Sequence, residues 1–353
     1  MFHVKHLATS TRCPQAAPTL AVSRPTPQSR RQPFVSDSDT IVLAISLQKG
    51  GVGKTTTAIN LGAALAERGF RTLIIDLDPQ GNASSGLGVR PPEDAPTIAE
   101  VLRREETLDS IIEPTAEKNL FVAPAPTGQA LAEVEAQLVA EMFPQPRLKD
   151  AIDACRADWD YVLLDCPPTL GRLTVNAFMA ADAVLAPVQC QYFALEGLRD
   201  LSEVVKQVRQ ALNPTLEIAH YLLTMSEGSK KLSSEVEAEL RSAYGKKVFR
   251  SSIPYNVKLA EAPSMERSVL KHATTSKGAL AYRDVAKELS HGRTPKARSG
   301  TFYPHPHDER RRTSARCNRK ADSIARRTPR ICIARCADSS YRTESTSAAG
   351  SFR

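Results

Sequence analysis

The chain has 353 residues, of which 41% are hydrophobic, and its 47 Lys and Arg against 39 Asp and Glu give a net charge of +8 at pH 7. That length holds one large domain or two small ones, and with no apolar run of roughly 18 residues a membrane-spanning helix is not expected. Residues 1–38 carry a net +4, residues 291–353 a net +10 and the stretch between them a net −6, so any affinity for nucleic acid must come from a local patch or from the tails.

Residues 1–38 are rich in Pro, Ser, Thr, Gln and Arg, lack periodicity and lack the continuous apolar core of a secretory signal, so they read as a disordered leader. From residue 39 to about 290, apolar strand patterns alternate with amphipathic helical ones. Strands are expected at 41–46, 72–77, 120–123, 161–165, 183–188, 218–224 and 248–253. Helices are expected near 55–67, 97–103, 129–140, 147–156, 173–181, 195–211, 232–243 and 277–289. Four of the strands are apolar nearly throughout, as in a parallel sheet covered on both faces. The alternation predicts an α/β fold with a doubly wound, mostly parallel sheet, whose ligands sit outside the carboxyl ends of the strands. Residues 291–353 are rich in Arg, Ser, Thr and Ala, include Arg310-Arg311-Arg312, and read as a disordered basic tail in preference to a nucleic-acid arm. Of seven cysteines none forms a C-x-x-C pair. Cys155, Cys166 and Cys190 fall in apolar segments, as buried thiols of a reducing cytoplasm do.

The first strand runs into Lys49-Gly50-Gly51-Val52-Gly53-Lys54-Thr55-Thr56, and a helical pattern starts at Thr55. Strand, glycine turn and helix start make a phosphate cradle. Glycine lets the backbone N–H groups close around phosphate oxygens, and the helix N-terminus adds partial positive charge. Gly53-Lys54-Thr55 fits the usual phosphate-loop ending, but the first glycine position holds Gln48 and a second lysine, Lys49, stands in the loop. Lys54 is expected to grip the β- and γ-phosphates and the Thr55 hydroxyl to ligate Mg²⁺. Two strands end in acids: one in Asp76-Leu77-Asp78-Pro79-Gln80-Gly81-Asn82, the other in Asp165-Cys166-Pro167-Pro168. A lone Asp after a strand is commonly a turn or helix cap. Two of them following a two-lysine loop point to a nucleotide site with a magnesium ion.

Lys49–Thr56, Asp76–Asn82 and Asp165–Pro168 resemble the ParA/Soj chromosome-partitioning ATPases, which carry the two-lysine phosphate loop. Pro187-Val188-Gln189-Cys190-Gln191-Tyr192-Phe193-Ala194-Leu195-Glu196-Gly197 and Ile253-Pro254-Tyr255-Asn256-Val257-Lys258-Leu259-Ala260-Glu261-Ala262-Pro263-Ser264 extend the likeness over residues 40–290, and neither tail shares it. The resemblance implies a phosphate-loop ATPase domain at 39–290 using ATP and Mg²⁺. It implies an ATP-binding loop at Lys49, Gly50, Gly51, Val52, Gly53, Lys54, Thr55 and Thr56, an adenine pocket near Pro254 and Asn256, and Mg²⁺ held through Thr55 and Asp165. It implies an ATP-dependent homodimer in which Lys49 reaches the partner's phosphates and Asp78 positions the attacking water. It further implies non-specific DNA binding, a ParB-type partner, no membrane, and a cytoplasmic, nucleoid-associated protein. For DNA the chain departs from its relatives: the expected Arg after Met225 aligns with Ser229, and an Arg often found after Ile-Pro is Tyr255. Lys230, Lys231, Lys258, Arg267 and Lys271 are the substitutes.

Two other readings are weaker. A MinD-like division-site regulator ends in an amphipathic membrane helix, which the sequence lacks, and a DNA-binding regulator needs a helix-turn-helix for which the Pro-rich leader is too short. Met1–His6 can be back-translated as a self-complementary string similar to the centromere-like site read by ParB. On that reading the first residues reflect a DNA site overlapping the frame, and translation starts further in, for example at Val35.

Overall fold

A computed structural model describes residues 40–191, 194–227 and 231–297; the leader, its back-translated start and most of the basic tail lie outside the described residues. In chain order the elements are β1 Ile41–Ile45, α1 Lys54–Glu67, β2 Thr72–Asp76, α2 Asn82–Gly86, α3 Ile98–Arg103, α4 Leu108–Ile111, β3 Glu113–Pro114, β4 Leu120–Ala123, α5 Ala130–Ala140, α6 Arg147–Cys155, β5 Tyr161–Asp165, α7 Arg172–Ala180, β6 Ala183–Gln189, α8 Ala194–Ala211, β7 Ile218–Thr224, α9 Lys231–Tyr244, α10 Val257–Glu261, α11 Val269–His272 and α12 Lys277–Leu289.

The seven strands form one sheet in the order β3-β4-β2-β5-β1-β6-β7, parallel except for the short edge strand β3. Successive residues of a strand point to opposite faces, and both faces are apolar here. Val42 and Ala44 of β1 pack with α3 to α9, while Leu43 and Ile45 pack with α1, α2 and α10 to α12. This two-sided burial is why these strands read as unbroken apolar runs. Cys155, Cys166 and Cys190 are all buried free thiols.

All eight expected helices are present, as are six of the seven expected strands. The strand expected at 248–253 does not join the sheet and makes only isolated bridges, Val248 to Tyr221 and Pro254 to Ser226. Its ends still bond to β7, the Phe249 N–H to the Tyr221 carbonyl at 3.0 Å and the Ile253 N–H to the Leu223 carbonyl at 2.8 Å, but side chains take the backbone groups between them. Arg241 donates to the Phe249 and Arg250 carbonyls at 2.9 and 3.0 Å, and Glu288 accepts from the Arg250 and Ser251 N–H groups at 2.8 and 2.9 Å. Four short helices (α2, α4, α10 and α11) and the two-residue β3 carry too little periodicity to be read from sequence.

The packed chain continues beyond α12. Lys296 donates through its ammonium to the Thr40 hydroxyl at 2.9 Å and the Trp159 carbonyl at 2.7 Å, and its N–H reaches Asp160 at 3.0 Å. Residues 291–297 thus cross the amino ends of β1 and β5, at the pole opposite the phosphate loop.

Candidate functional site

The site is built where β1, β5 and β2 end side by side. In the parallel register Ile45 is level with Asp165, and Asp165 with Asp76. The loop leaving β1 turns through Gly51 and Gly53, both left-handed at φ +73° and +91°. An L side chain at these angles is strained, so glycine is required. Gly53 is the N-cap of α1, and its carbonyl accepts the Thr57 N–H at 2.8 Å. The neighbouring Val52 is buried, and its carbonyl accepts the Thr224 hydroxyl at 2.8 Å, which fastens the loop to the end of β7.

Lys54 is buried, and its ammonium donates to the Leu47 and Lys49 carbonyls at 3.2 and 2.9 Å. Burial lowers its pKa, opposed by the Asp165, Cys166 and Asp78 groups around it. Lys49 is half-buried in the loop. Gly50 is exposed, while Thr55 and Thr56 are half-buried on the first turn of α1, Thr55 beside Asp165.

Three carboxylates close the site. Asp165 is fully buried, and neither of its oxygens has a hydrogen-bond partner. Burial and then Asp76 push its pKa well above the usual range; the Thr55 hydroxyl, near but outside hydrogen-bond geometry, and Lys54 pull it down. An orphaned buried carboxylate beside a hydroxyl suits a hard divalent cation whose other ligands are water and phosphate oxygens. Among the described residues no group of three or more His, Cys, Asp or Glu is placed to hold a metal ion. Asp78 is nearly buried, and its carboxylate accepts the Gln80 N–H at 3.0 Å. Asp76 is completely buried; burial pushes its pKa up to about 6, against the hydrogen bonds it accepts from Ser84 and Asp78.

Pro254 bridges to Ser226, just beyond β7, and so lies at the same end of the sheet as the phosphate loop. The Asn256 side chain caps α10 by accepting the Lys258 N–H at 2.9 Å. The described basic candidates each have a different setting. Lys258 pairs with Glu261 at 2.7 Å, and Arg267 donates to the Met265 carbonyl at 3.0 Å. Lys271 lines a cleft of about 370 Å³ at the far end of α1 with Glu67, Glu117 and Lys118. Lys230 and the Lys231 side chain lie outside the described residues.

Sequence reasoning singled out Asp78 and Asp165 and missed three contributors. Asp76 stands in the acidic string that ends β2, after three apolar residues where Asp165 follows four, but the sequence alone assigned it no role of its own. Ser84 and Thr224 carry no signal, because their contacts join segments 41 and 172 residues apart.

A phosphate loop at a helix N-terminus, with acids on neighbouring strand ends of a doubly wound sheet, defines a phosphate-loop nucleotide-binding protein. The sequence profile described as an AAA domain matches residues 40–218. The chain is 44% identical over 256 residues to the chromosome partitioning protein ParA of Myxococcus xanthus, covering 72% of this chain and 90% of that one. It is also 44% identical to the sporulation initiation inhibitor protein Soj of Bacillus subtilis, covering 70% of this chain and 98% of that one. Among solved structures, cobyrinic acid a,c-diamide synthase from Mycobacterium smegmatis, with a bound ATP analogue and magnesium, superposes with a TM-score of 0.61 at 34% identity, covering 73% of this chain and all of that one. The chain belongs to the ParA/Soj family of chromosome-partitioning ATPases.

Proposed function

We propose that the chain is an ATP-hydrolysing partitioning protein. On this reading residues 39–290 form the ATPase domain between the leader and the basic tail. Lys49 to Thr56 bind the phosphates of ATP, with the backbone N–H groups and the Lys54 ammonium opposing their charge. Pro254 and Asn256 contact the adenine. Thr55 and Asp165 hold Mg²⁺, which when bound neutralises charge developing on the β- and γ-phosphate oxygens. Asp78 orients the attacking water. Two copies close face to face on ATP, and Lys49 of each reaches the other's phosphates, a positive charge supplied in trans. The ATP-bound dimer holds DNA without sequence preference through Lys258, Arg267 and Lys271 with Lys230 and Lys231, works with a ParB-type centromere-binding partner and resides on the nucleoid.

The observation that carries the reading is the buried, unpartnered Asp165 carboxylate beside Thr55 and Lys54. A purely structural aspartate would have satisfied its oxygens with backbone donors, as Asp76 does. The extent of identity to partitioning relatives favours this reading over a MinD-like division-site regulator acting on membranes.

The test is ATP turnover, nucleotide binding and light scattering on the full chain. The parent turns over ATP and dimerises with it; Asp78→Ala keeps nucleotide and dimer but loses turnover; Lys49→Ala binds ATP but hydrolyses it slowly. A parent that stays monomeric in every nucleotide state, or an Asp78→Ala chain that hydrolyses like the parent, overturns the reading.

A further inference from the structure

Asp78 sits on a short loop, and the structure shows what holds that loop. The Asp76 carboxylate grips it at both ends. One oxygen accepts the Asp78 N–H at 3.2 Å; the other accepts the Ser84 N–H at 2.8 Å and the Ser84 hydroxyl at 2.6 Å. Between these points the chain turns through Gly81, left-handed at φ +60°, whose N–H donates to the Asp78 carbonyl at 2.9 Å. The Ser84 oxygen in turn accepts the Ala125 N–H at 3.1 Å, from the segment joining β4 to α5. Asp76, Ser84 and Ala125 are 0%, 3% and 3% exposed.

The hydroxyl's single proton is committed by this geometry. The Ala125 N–H only donates, so the serine oxygen must accept from it, and its own proton points at Asp76. A buried O–H···O⁻ contact of that length is a strong, charge-assisted bond. Ser84 therefore ties three segments: the end of β2, the first turn of α2 and the exit of β4. Without the hydroxyl, Asp76 keeps only the Ser84 N–H at the far end of the loop, and the Ala125 N–H is left without that acceptor.

We infer that Ser84 is a positioning residue for ATP hydrolysis, acting through Asp76 to hold the Asp78 carboxylate where it orients water. The inference rests on the reading of Asp78 above. None of the hydrogen bonds of Ser84 reaches the phosphate loop or Asp165. Its loss is felt in the chemical step more than in nucleotide binding, because the loop it fixes carries the water-orienting group and not the phosphate cradle.

The experiment is steady-state and single-turnover ATP hydrolysis on the full chain, with the parent, Ser84→Ala, Ser84→Thr, Asp78→Ala and the Ser84→Ala/Asp78→Ala double variant. Ser84→Ala is expected to lower kcat about tenfold, the low end for loss of a supporting-shell partner, with KM within about twofold of the parent. Ser84→Thr, which keeps the hydroxyl, recovers most of the rate. On the slow residual hydrolysis of Asp78→Ala, followed by single-turnover measurement, removing the Ser84 hydroxyl costs nothing further, because both changes act on one group. A parent without turnover overturns the functional reading and this inference together. A parent that hydrolyses ATP overturns the inference alone on any of three results: an unchanged kcat in Ser84→Ala, an equal loss in the Asp78→Ala background, or a loss that appears in KM with a lowered melting temperature.

Discussion

Thr224→Val isolates the bond that fastens the phosphate loop to the far strand of the sheet. The substitution replaces the hydroxyl by a methyl of similar volume, so packing is kept while the 2.8 Å donation to the Val52 carbonyl is lost. Thr224 and Val52 are 2% and 1% exposed, which keeps water from replacing the donor. A buried carbonyl deprived of its partner costs about 1–3 kcal/mol, and in a folded core of this size each kcal/mol lowers the melting temperature by about 2–4 °C. A fall of about 2–12 °C is therefore expected by thermal unfolding of the nucleotide-free chain. Because Val52 precedes the Gly53 cap, the loosened loop should also weaken binding of a fluorescent ATP analogue. Thr224→Ser, which keeps the donor, is the control for the methyl. If Thr224→Val melts with the parent and binds nucleotide equally well, the β7 anchor does not hold the loop and the reasoning fails.

Two further outcomes are expected. Gly53→Ala places a Cβ 3.8 Å from the Thr224 methyl, an ordinary contact, so its cost is conformational: alanine at φ +91° is strained by about 1–2 kcal/mol. Weaker nucleotide binding by titration calorimetry is the expected result, and parent-like affinity would refute it. His220 stacks on Phe249 with ring centroids 4.9 Å apart; burial first, then Lys247, lowers its pKa to about 4. Because the folded value lies below the unfolded one, the unfolded chain takes up the proton first. This contribution to stability is whole above about pH 6.5 and drains as the pH falls toward 4, by about 3 kcal/mol. Urea unfolding at pH 7 and at pH 4.5 checks this: His220→Phe should lose less stability between the two than the parent, and an equal loss in both chains would count against the assignment.

The sequence by itself determined the layout of the core. A sheet covered by helices on both faces has strands that are apolar on both faces, and runs such as Ile41–Ile45 and Tyr161–Asp165 show this without any knowledge of their neighbours. The phosphate loop was legible for a similar reason. Its function is written in contiguous residues, glycines where the backbone must turn left-handed and a lysine at the helix start. What the tertiary structure alone decided are contacts between segments distant in the chain. The register that sets Asp76 level with Asp165 depends on how β2 and β5 pair, which neither strand encodes alone. Residues 248–253 keep backbone bonds to β7 only at their ends, because Arg241 and Glu288 take the backbone groups between them. Ser84 and Thr224 are small polar residues with no periodicity to mark them; only the folded chain brings their hydroxyls to a carboxylate and a carbonyl whose burial makes those bonds count.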